Sequence, residues 1–187
     1  MSVIVKAFVR AKHWQVFVLL FGLLVVSFWV QDQPFDPPGR GSTLAWVMMA
    51  VWTLAYMGWL WGLGSFLATL EPRPTNLASA FFSLGLVYVV LYGFAFIAIF
   101  DEVIPVPPAV LIPMHLLAMF CMLYGLNFVA KRLVLAEAGK ATSFYEYAGP
   151  FFLIWFLPVG IWFLQPRINR LYAQMPRPNH HRSDGAP

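Results

Sequence analysis

Charged residues are scarce in this sequence and are missing where an ion-coupled membrane protein would need them. Aspartate, glutamate, lysine and arginine make up 11% of the 187 residues, against about 25% in soluble domains. None of them lies in the middle of a long hydrophobic run. A charge inside a membrane span costs about 2.5–3.5 kcal/mol on insertion scales and marks an ion pathway where it occurs. This argues against a proton pump, a voltage sensor and most ion-coupled transporters.

Cysteine pairs and recognisable catalytic motifs are also missing. The single cysteine, Cys121, excludes an intramolecular disulfide. The sequence contains no Ser/His/Asp order, H-E-x-x-H motif or glycine-rich phosphate loop. His115 is the only histidine in a hydrophobic run, so a bis-histidine haem has no second ligand. We therefore expect no cofactor, no bound metal and no catalytic residue, and favour a protein that is not an enzyme.

Apolar residues are abundant and fall in long runs. They make up 60% of the chain, and runs of about 20 indicate membrane-spanning helices. The sequence predicts an all-α integral membrane helical bundle of four transmembrane helices plus a fifth, proline-broken segment. One domain covers residues 1–187, and the hydrophobic segments lie at about 14–30, 44–70, 77–100, 109–130 and 149–166. Residues 167–187 are predicted to be a polar, basic, disordered tail.

The basic N-terminus precedes the first hydrophobic segment. Lys6, Arg10 and His13 share one helical face, which is typical of a helix lying at a membrane surface. No small-x-small cleavage site follows the first apolar run, so we predict an uncleaved first span. The net charge of +4 comes from basic residues near loops and chain ends. Such residues set membrane orientation, and they do not indicate a nucleic-acid partner.

The fifth hydrophobic segment has two interpretations. Its apolar core, Phe151–Leu164, has 14 residues and contains Pro158 and Gly160, and runs of 10–14 are more often re-entrant or interfacial than spanning. With a cytoplasmic N-terminus and five crossings, seven lysines and arginines lie inside and five outside. If the fifth segment enters and returns, eleven lie inside and one outside. The positive-inside rule favours the second arrangement, although a kinked fifth span remains open.

A few polar and sulfur-containing side chains in the hydrophobic runs could bind a ligand. His115, Met119 and Met122 share one face of a helix, and Cys121 is close by. These side chains suit copper(I), but we favour a structural interpretation in which His115 hydrogen-bonds another helix and the methionines fill gaps in the bundle. Asn127 needs a partner for its amide, most simply on another helix.

Small residues and one acidic pair complete the candidate sites. Glycines four residues apart, and other small residues at that spacing, allow close helix packing. The helix-packing candidates are Gly58, Gly62, Ser79, Ser83 and Gly125. Asp101 and Glu102 are adjacent carboxylates at the end of the third segment. They could bind a cation, or they could simply be solvated charges.

Two stretches resemble a known group of proteins. HLLAMFCMLYGLNFVAK, residues 115–131, and EYAGPFFLIWFLPVGIWFLQPRIN, residues 146–169, look like small uncharacterised bacterial multi-pass membrane proteins. The chains of those proteins end in a similar FFLIWF-P-GIWF-QPRIN block. The resemblance is confined to these two stretches and implies a location in the bacterial inner membrane. It implies no activity and assigns no functional residue.

Three functions remain open from the sequence. The first is a non-catalytic subunit or scaffold that packs against a membrane-protein partner or forms a homo-oligomer in the lipid bilayer. The second is a small transporter, channel or lipid-handling protein, with the proline-broken fifth segment lining a cavity. The third is an intramembrane metal protein or enzyme that uses His115.

Overall fold

The computed structural model describes residues 1–31, 43–71, 76–100, 105–140 and 143–175, and all regular structure there is helical. A π-helical turn, Val18–Gly22, joins the second helix to the third. The helices in chain order are α1 (Val3–Arg10), α2 (His13–Phe17), α3 (Leu23–Gln31), α4 (Thr43–Ala68), α5 (Asn76–Phe100), α6 (Pro108–Ala138), α7 (Phe144–Trp155) and α8 (Leu157–Ala173). The predicted all-α class is confirmed.

Three helices among the described residues are long and apolar enough to cross a membrane. They are Trp46–Ala68, Leu77–Ile99 and Pro108–Ala138, which match the predicted segments at 44–70, 77–100 and 109–130. Val3–Arg10 and His13–Trp29 pass the same test only together, and a bend of 110° separates them. The described chain therefore has three candidate spans, or four if the bent pair is counted as one.

Helix α1 is short and amphipathic, as its charge pattern predicts. The Ser2 hydroxyl caps it by accepting a hydrogen bond from the backbone amide of Val5 at 3.3 Å. Val5 and Val9, one turn apart, are buried where α1 packs against α4 and α8. The bend after Arg10 turns α1 away from the direction of α2 and α3. The buried valines thus hold this helix against the bundle.

Helix α4 is the centre of the core. It packs against α1, α3, α5 and α6, and its buried side chains fall in its second half. Those of α6 fall mostly in the second half too, so the core lies at the end of the bundle where α1 and α8 pack. The largest fully buried side chains are Trp59, Phe66, Leu20, Leu60, Leu63, Leu67, Leu126, Leu133, Ile154, Ile161, Leu164 and Ile168.

Helix α6 is longer than the sequence predicts. The predicted segment ends near residue 130, before two basic residues, but the helix continues to Ala138. Arg132 and Leu133 are both buried, so tertiary packing carries the helix past the point where hydropathy falls. Gly139 ends it in the left-handed conformation, with φ of 66°, which glycine adopts without the steric cost of a Cβ.

Helices α7 and α8 meet in a sharp turn. A capping box begins α7, since the Ser143 backbone amide donates to the Glu146 carboxylate at 2.6 Å. The break falls at Phe156, with φ of −86° and ψ of 64°. A Cβ added at Gly160 would overlap the carbonyl group of Leu153, whose Cα would lie only 3.1 Å away. On a straight helix, Leu153 and Gly160 would be about 10 Å apart, because they are seven residues apart in sequence. Their close approach therefore means that the chain folds back here.

The C-terminal boundary of this segment differs from the prediction. The sequence places a disordered tail from residue 167, but α8 continues to Ala173. Ile168 is fully buried, and Asn169 hydrogen-bonds the backbone of Val9 and Ala11. Contact with α1 therefore stabilises a polar stretch that composition alone assigns to a tail. Residues 176–187 of the predicted tail lie outside the described part of the chain.

Candidate functional site

The second half of α6 carries a buried arginine. Arg132 is 5% exposed, and its Nε lies 3.0 Å from a carboxylate oxygen of Glu71. Its Nη1 donates to the Ser79 hydroxyl at 3.3 Å. The guanidinium carbon lies 3.9 Å from the ring centroid of Phe128, one helical turn earlier. The ion pair and the cation–π contact together compensate the charge, which would otherwise be costly to bury.

The aromatic contact extends from Arg132 into the bundle. The Phe128 ring stacks on Phe82 of α5 with a centroid distance of 4.2 Å and an interplanar angle of 7°. Phe82 in turn lies against Gly64 of α4, where a Cβ would come within 2.5 Å of the ring. Gly64 is therefore needed for close approach, and one stack ties α4, α5 and α6 together beside the ion pair.

A small polar cavity opens next to this arginine. It has a volume of about 190 Å³ and is lined in part by Glu71, Tyr124, Asn127, Lys131 and Arg132. The Asn127 side-chain oxygen is buried and has no hydrogen-bond partner among the described residues. Such an atom is costly to leave unsatisfied, by about 1–3 kcal/mol. The cavity thus combines two cations, one carboxylate and a free acceptor.

The polar side chains of α8 hold the end of α1. The Gln165 side-chain amide donates to the backbone carbonyls of Phe8 at 2.8 Å and Ala11 at 2.9 Å. Its oxygen accepts from the Trp59 indole at 3.2 Å. Asn169, one turn later, donates to the Val9 carbonyl at 3.1 Å. These carbonyls lack partners within α1 because they belong to its last turn, so α8 caps α1 from outside.

Two open grooves flank α5. The groove between α5 and α6 has a volume of about 450 Å³, and it is lined by residues that include Phe81, Leu84, Leu117, Phe120 and Tyr124. The groove between α4 and α5 has a volume of about 320 Å³, and its lining includes Met57, Gly58, Trp61, Ser83, Val87 and Leu91. Neither lining contains a charged residue. Tyr124 belongs to both the α5–α6 groove and the polar cavity, so these two are adjacent.

A further cavity lies beside the turn between α7 and α8. It has a volume of about 240 Å³ and is lined by Trp52, Tyr56, Met122, Leu126, Trp155 and Leu157. The Trp52 indole nitrogen is buried and has no hydrogen-bond partner within the described parts of the chain, and the Tyr56 hydroxyl donates to the Ile154 carbonyl at 3.5 Å. The fifth segment therefore borders a cavity, and the lining of that cavity contains no charged side chain.

The sulfur and imidazole side chains do not form one cluster. His115 Nδ1 lies 2.8 Å from the Tyr92 hydroxyl, so the histidine has a hydrogen-bond partner on α5. Cys121 faces Gly85, where a Cβ would lie 3.5 Å from the cysteine Cβ, and Met122 lines the cavity beside the α7–α8 turn. Met119 is 46% exposed. Within the residues that the structure describes, no three His, Cys, Asp or Glu side chains lie close enough to hold a metal ion.

The predicted helix-packing residues contact other parts of the same chain. Cβ atoms at Gly58 and Gly62 would lie 3.6 and 3.4 Å from the Phe8 ring, so this GxxxG surface receives α1. At Gly125 the nearest side-chain atom is 3.3 Å away, on Leu86 of α5.

The two serines and the acidic pair have different surroundings. Ser79 accepts a hydrogen bond from Arg132, and Ser83 lines the α4–α5 groove. The proposed cation ligands Asp101 and Glu102 lie outside the described residues.

Sequence reasoning missed two residues that make long-range polar contacts. Gln165 appears in the sequence only as the end of an apolar run, yet it is 0% exposed. The sequence does contain a signal for this contact, which is a glutamine placed between a hydrophobic segment and a proline. A polar side chain at such a position must find a hydrogen-bond partner if it is buried. Arg132 was read as the boundary of a span, and its partner Glu71, 61 residues earlier, gives no local signal.

Comparison with known proteins adds no family to this picture. No protein-family profile matches the chain, and no curated protein or solved structure is significantly similar to it.

Proposed function

We propose that this chain is a non-catalytic subunit or scaffold of a membrane complex, and that its α4–α5 groove receives a helix of a partner membrane protein. The supporting observation is that the other helices cover little of α5. Only 17% of its most apolar window is buried, against 39% for α4. Val87 and Leu91, 55% and 62% exposed, lie along the groove.

The lining of the α4–α5 groove suits a protein helix. Ser83 is a small residue in its lining, and small residues allow helix backbones to approach closely in membranes. Met57 and Trp61 also line it, and methionine and tryptophan are enriched at protein interfaces. Lipid chains are as apolar as leucine, so close packing rather than hydrophobicity distinguishes a partner helix here.

The proposal includes a topology. Four spans cross the membrane, and the α7–α8 segment enters and leaves on the side of the N-terminus. The fold-back at Gly160 supports this arrangement. So does the positive-inside rule, because eleven of twelve lysines and arginines then face the cytoplasm. The bacterial inner membrane, with the N-terminus cytoplasmic, is the location proposed from the resemblance of the FFLIWF-P-GIWF-QPRIN block.

Site-specific photo-crosslinking in native membranes tests the subunit proposal. A photoreactive amino acid at Val87 is expected to give a cross-linked band of defined mass that mass spectrometry identifies as a membrane protein. A matched position is Val25 on α3, 49% exposed and outside both grooves, and it is expected to give no discrete protein band. The same protein band from both positions, or none from Val87, would contradict the proposal.

A lipid-handling function is the second candidate. It is favoured by the adjacency of the apolar α5–α6 groove and the charged cavity, which meet at Tyr124. The apolar groove suits the acyl chain of a lipid, and the charged cavity at its end suits the polar headgroup. The two candidates use different sides of α5, so each can be tested without the other.

A further inference from the structure

The polar cavity of α6 has the charges to hold a single anion. Lys131 and Arg132 line it together with Glu71. Because Arg132 is paired with Glu71 at 3.0 Å, the cavity keeps one positive charge in excess. That charge belongs to Lys131, which is exposed at the cavity edge. One phosphodiester group would neutralise it through charge-assisted hydrogen bonds.

The same cavity has an unused acceptor. The buried Asn127 side-chain oxygen has no hydrogen-bond partner among the described residues. A phosphate oxygen cannot satisfy it, because both are acceptors. A ligand that carries a hydroxyl or ammonium group beside its phosphate satisfies both features at once, and glycerophospholipid headgroups have this composition.

The groove leads away from the cavity along the same helix faces. Leu117, Tyr124 and Lys131 recur every seven residues on α6, so they lie nearly in line on one face. Tyr124 separates the apolar part from the polar part, and its hydroxyl donates to the Ala78 carbonyl at 3.3 Å. Tyrosine prefers the level where membrane hydrocarbon meets the headgroups. The polar cavity then lies at headgroup level and the 450 Å³ groove lies in the hydrocarbon.

From these contacts we propose that the chain binds one anionic glycerophospholipid, with its headgroup at Asn127, Lys131 and Arg132 and an acyl chain in the α5–α6 groove. Charge complementarity selects the headgroup, and the groove orients the chain. An acyl chain that enters the groove moves from one apolar environment, the bilayer, to another. The selectivity for one lipid over another therefore comes from the polar cavity. The proposal rests on the lipid-handling candidate, to which it gives a lipid class, and it is independent of the partner proposed for the α4–α5 groove.

Native mass spectrometry of the full-length protein tests the headgroup site. The protein is extracted from vesicles of equal parts phosphatidylglycerol and phosphatidylcholine, and the retained lipid is counted. Wild-type protein is expected to retain one phosphatidylglycerol. Lys131→Gln should lower retention about tenfold, the loss typical of one hydrogen bond to a charged group. Lys140→Gln, which removes an exposed lysine outside the cavity, should leave retention unchanged.

Asn127→Leu separates a binding role from a structural one. Leucine has a similar size and removes a buried, unsatisfied oxygen, so the variant should be at least as stable to heat as the wild type. Its phosphatidylglycerol retention should nevertheless fall. A stable variant with unchanged phosphatidylglycerol retention would overturn the proposed role of Asn127 in lipid binding. A destabilised variant would show that the Asn127 amide stabilises the fold, and that result would also overturn the binding role.

The acyl-chain half of the proposal has its own variants. Leu117 lines the groove and is 49% exposed, so Leu117→Trp should fill the groove and lower phosphatidylglycerol retention. The control is Leu123→Trp, which changes a 37% exposed residue on the same helix but outside the groove and should leave retention unchanged. Unchanged retention in Leu117→Trp would overturn the groove assignment. Equal losses in Lys131→Gln and Lys140→Gln, or no loss in Lys131→Gln, would overturn the headgroup site. Complete displacement of phosphatidylglycerol by excess inorganic phosphate would assign the cavity to a small anion instead.

Discussion

The side-chain amide of Gln165 donates a hydrogen bond to the backbone carbonyl of Ala11 at 2.9 Å, across 154 residues of sequence. The same amide also reaches the Phe8 carbonyl, and its oxygen accepts from Trp59 on α4. One fully buried glutamine therefore joins the first helix, the central helix and the last helix. The first and last described elements form one unit, and α1 depends on α8 for its final turn.

Replacing this glutamine should release α1. Gln165→Leu keeps the volume but leaves the buried Trp59 indole and the Phe8 carbonyl without their partner, while the Ala11 carbonyl keeps only Asn169. We expect a cost of about 3 kcal/mol of unfolding free energy. Trypsin should then cut faster after Lys6 and Arg10, because α1 is held less firmly. Digestion in detergent, followed by mass spectrometry of the N-terminal fragments, measures this.

The control is Gln174→Leu, which changes an exposed glutamine at the end of the same helix. It should leave both the cleavage rate and the stability near those of the wild type. If Gln165→Leu and Gln174→Leu digest at the same rate, the capping contact does not hold α1.

The turn between α7 and α8 depends on one glycine. Gly160→Ala places a Cβ against the Leu153 carbonyl, which belongs to the backbone and cannot rotate away. We expect a loss of roughly 3 kcal/mol, at the upper end for overpacking. Thermal unfolding in detergent, followed by tryptophan fluorescence, is the measurement.

A matched glycine lies on α7. A Cβ at Gly149 would meet nothing within 4 Å, and alanine favours a helix by about 1 kcal/mol over glycine. Gly149→Ala should therefore be neutral or stabilising. Equal stability of the two alanine variants would contradict the close approach of α7 and α8 at this turn.

The sequence predicts the helices of this fold far better than their contacts. Long apolar runs determine where helices form, because a span needs internal hydrogen bonds and apolar side chains. The ends of α6 and α8 were predicted too early, since Arg132 and Ile168 are buried by elements distant in sequence. Among the candidate residues, Asn127 was expected to have a partner, and the structure leaves its oxygen without one. Hydropathy is a local property, whereas these contacts depend on how helices are placed.

Cysteine labelling tests the proposed topology. In a Cys121→Ala background, single cysteines at Ser2 and His180 should both react with a membrane-impermeant maleimide only after the cytoplasmic side is opened. A cysteine at Gly41, which lies between the first two hydrophobic segments of the sequence, should react in intact cells. If the fifth segment crosses the membrane, the His180 position will instead react in intact cells, as the Gly41 position does.

Two arginine–glutamate pairs in the same protein should differ in strength because they differ in burial. Side chains of the Arg132–Glu71 pair are 5% and 13% exposed, whereas both side chains of the Arg167–Glu137 pair are 30% exposed. Removing one member of a buried pair leaves an uncompensated charge and costs about 3–5 kcal/mol. Exposed pairs typically contribute about 0–1 kcal/mol.

Double-mutant cycles measure this difference. Arg132→Met alone should destabilise strongly, and adding Glu71→Leu should recover most of the loss, which gives a coupling energy of several kcal/mol. The cycle of Arg167→Met and Glu137→Leu should give roughly 0.5 kcal/mol, and added salt should reduce that coupling further because solvent screens exposed charges. The comparison is internal to one protein, so detergent and unfolding method affect both cycles alike. Equal coupling energies would mean that the Arg132 ion pair is hydrated despite its burial, and that its stacking on Phe128 rather than its charge holds α6 in place.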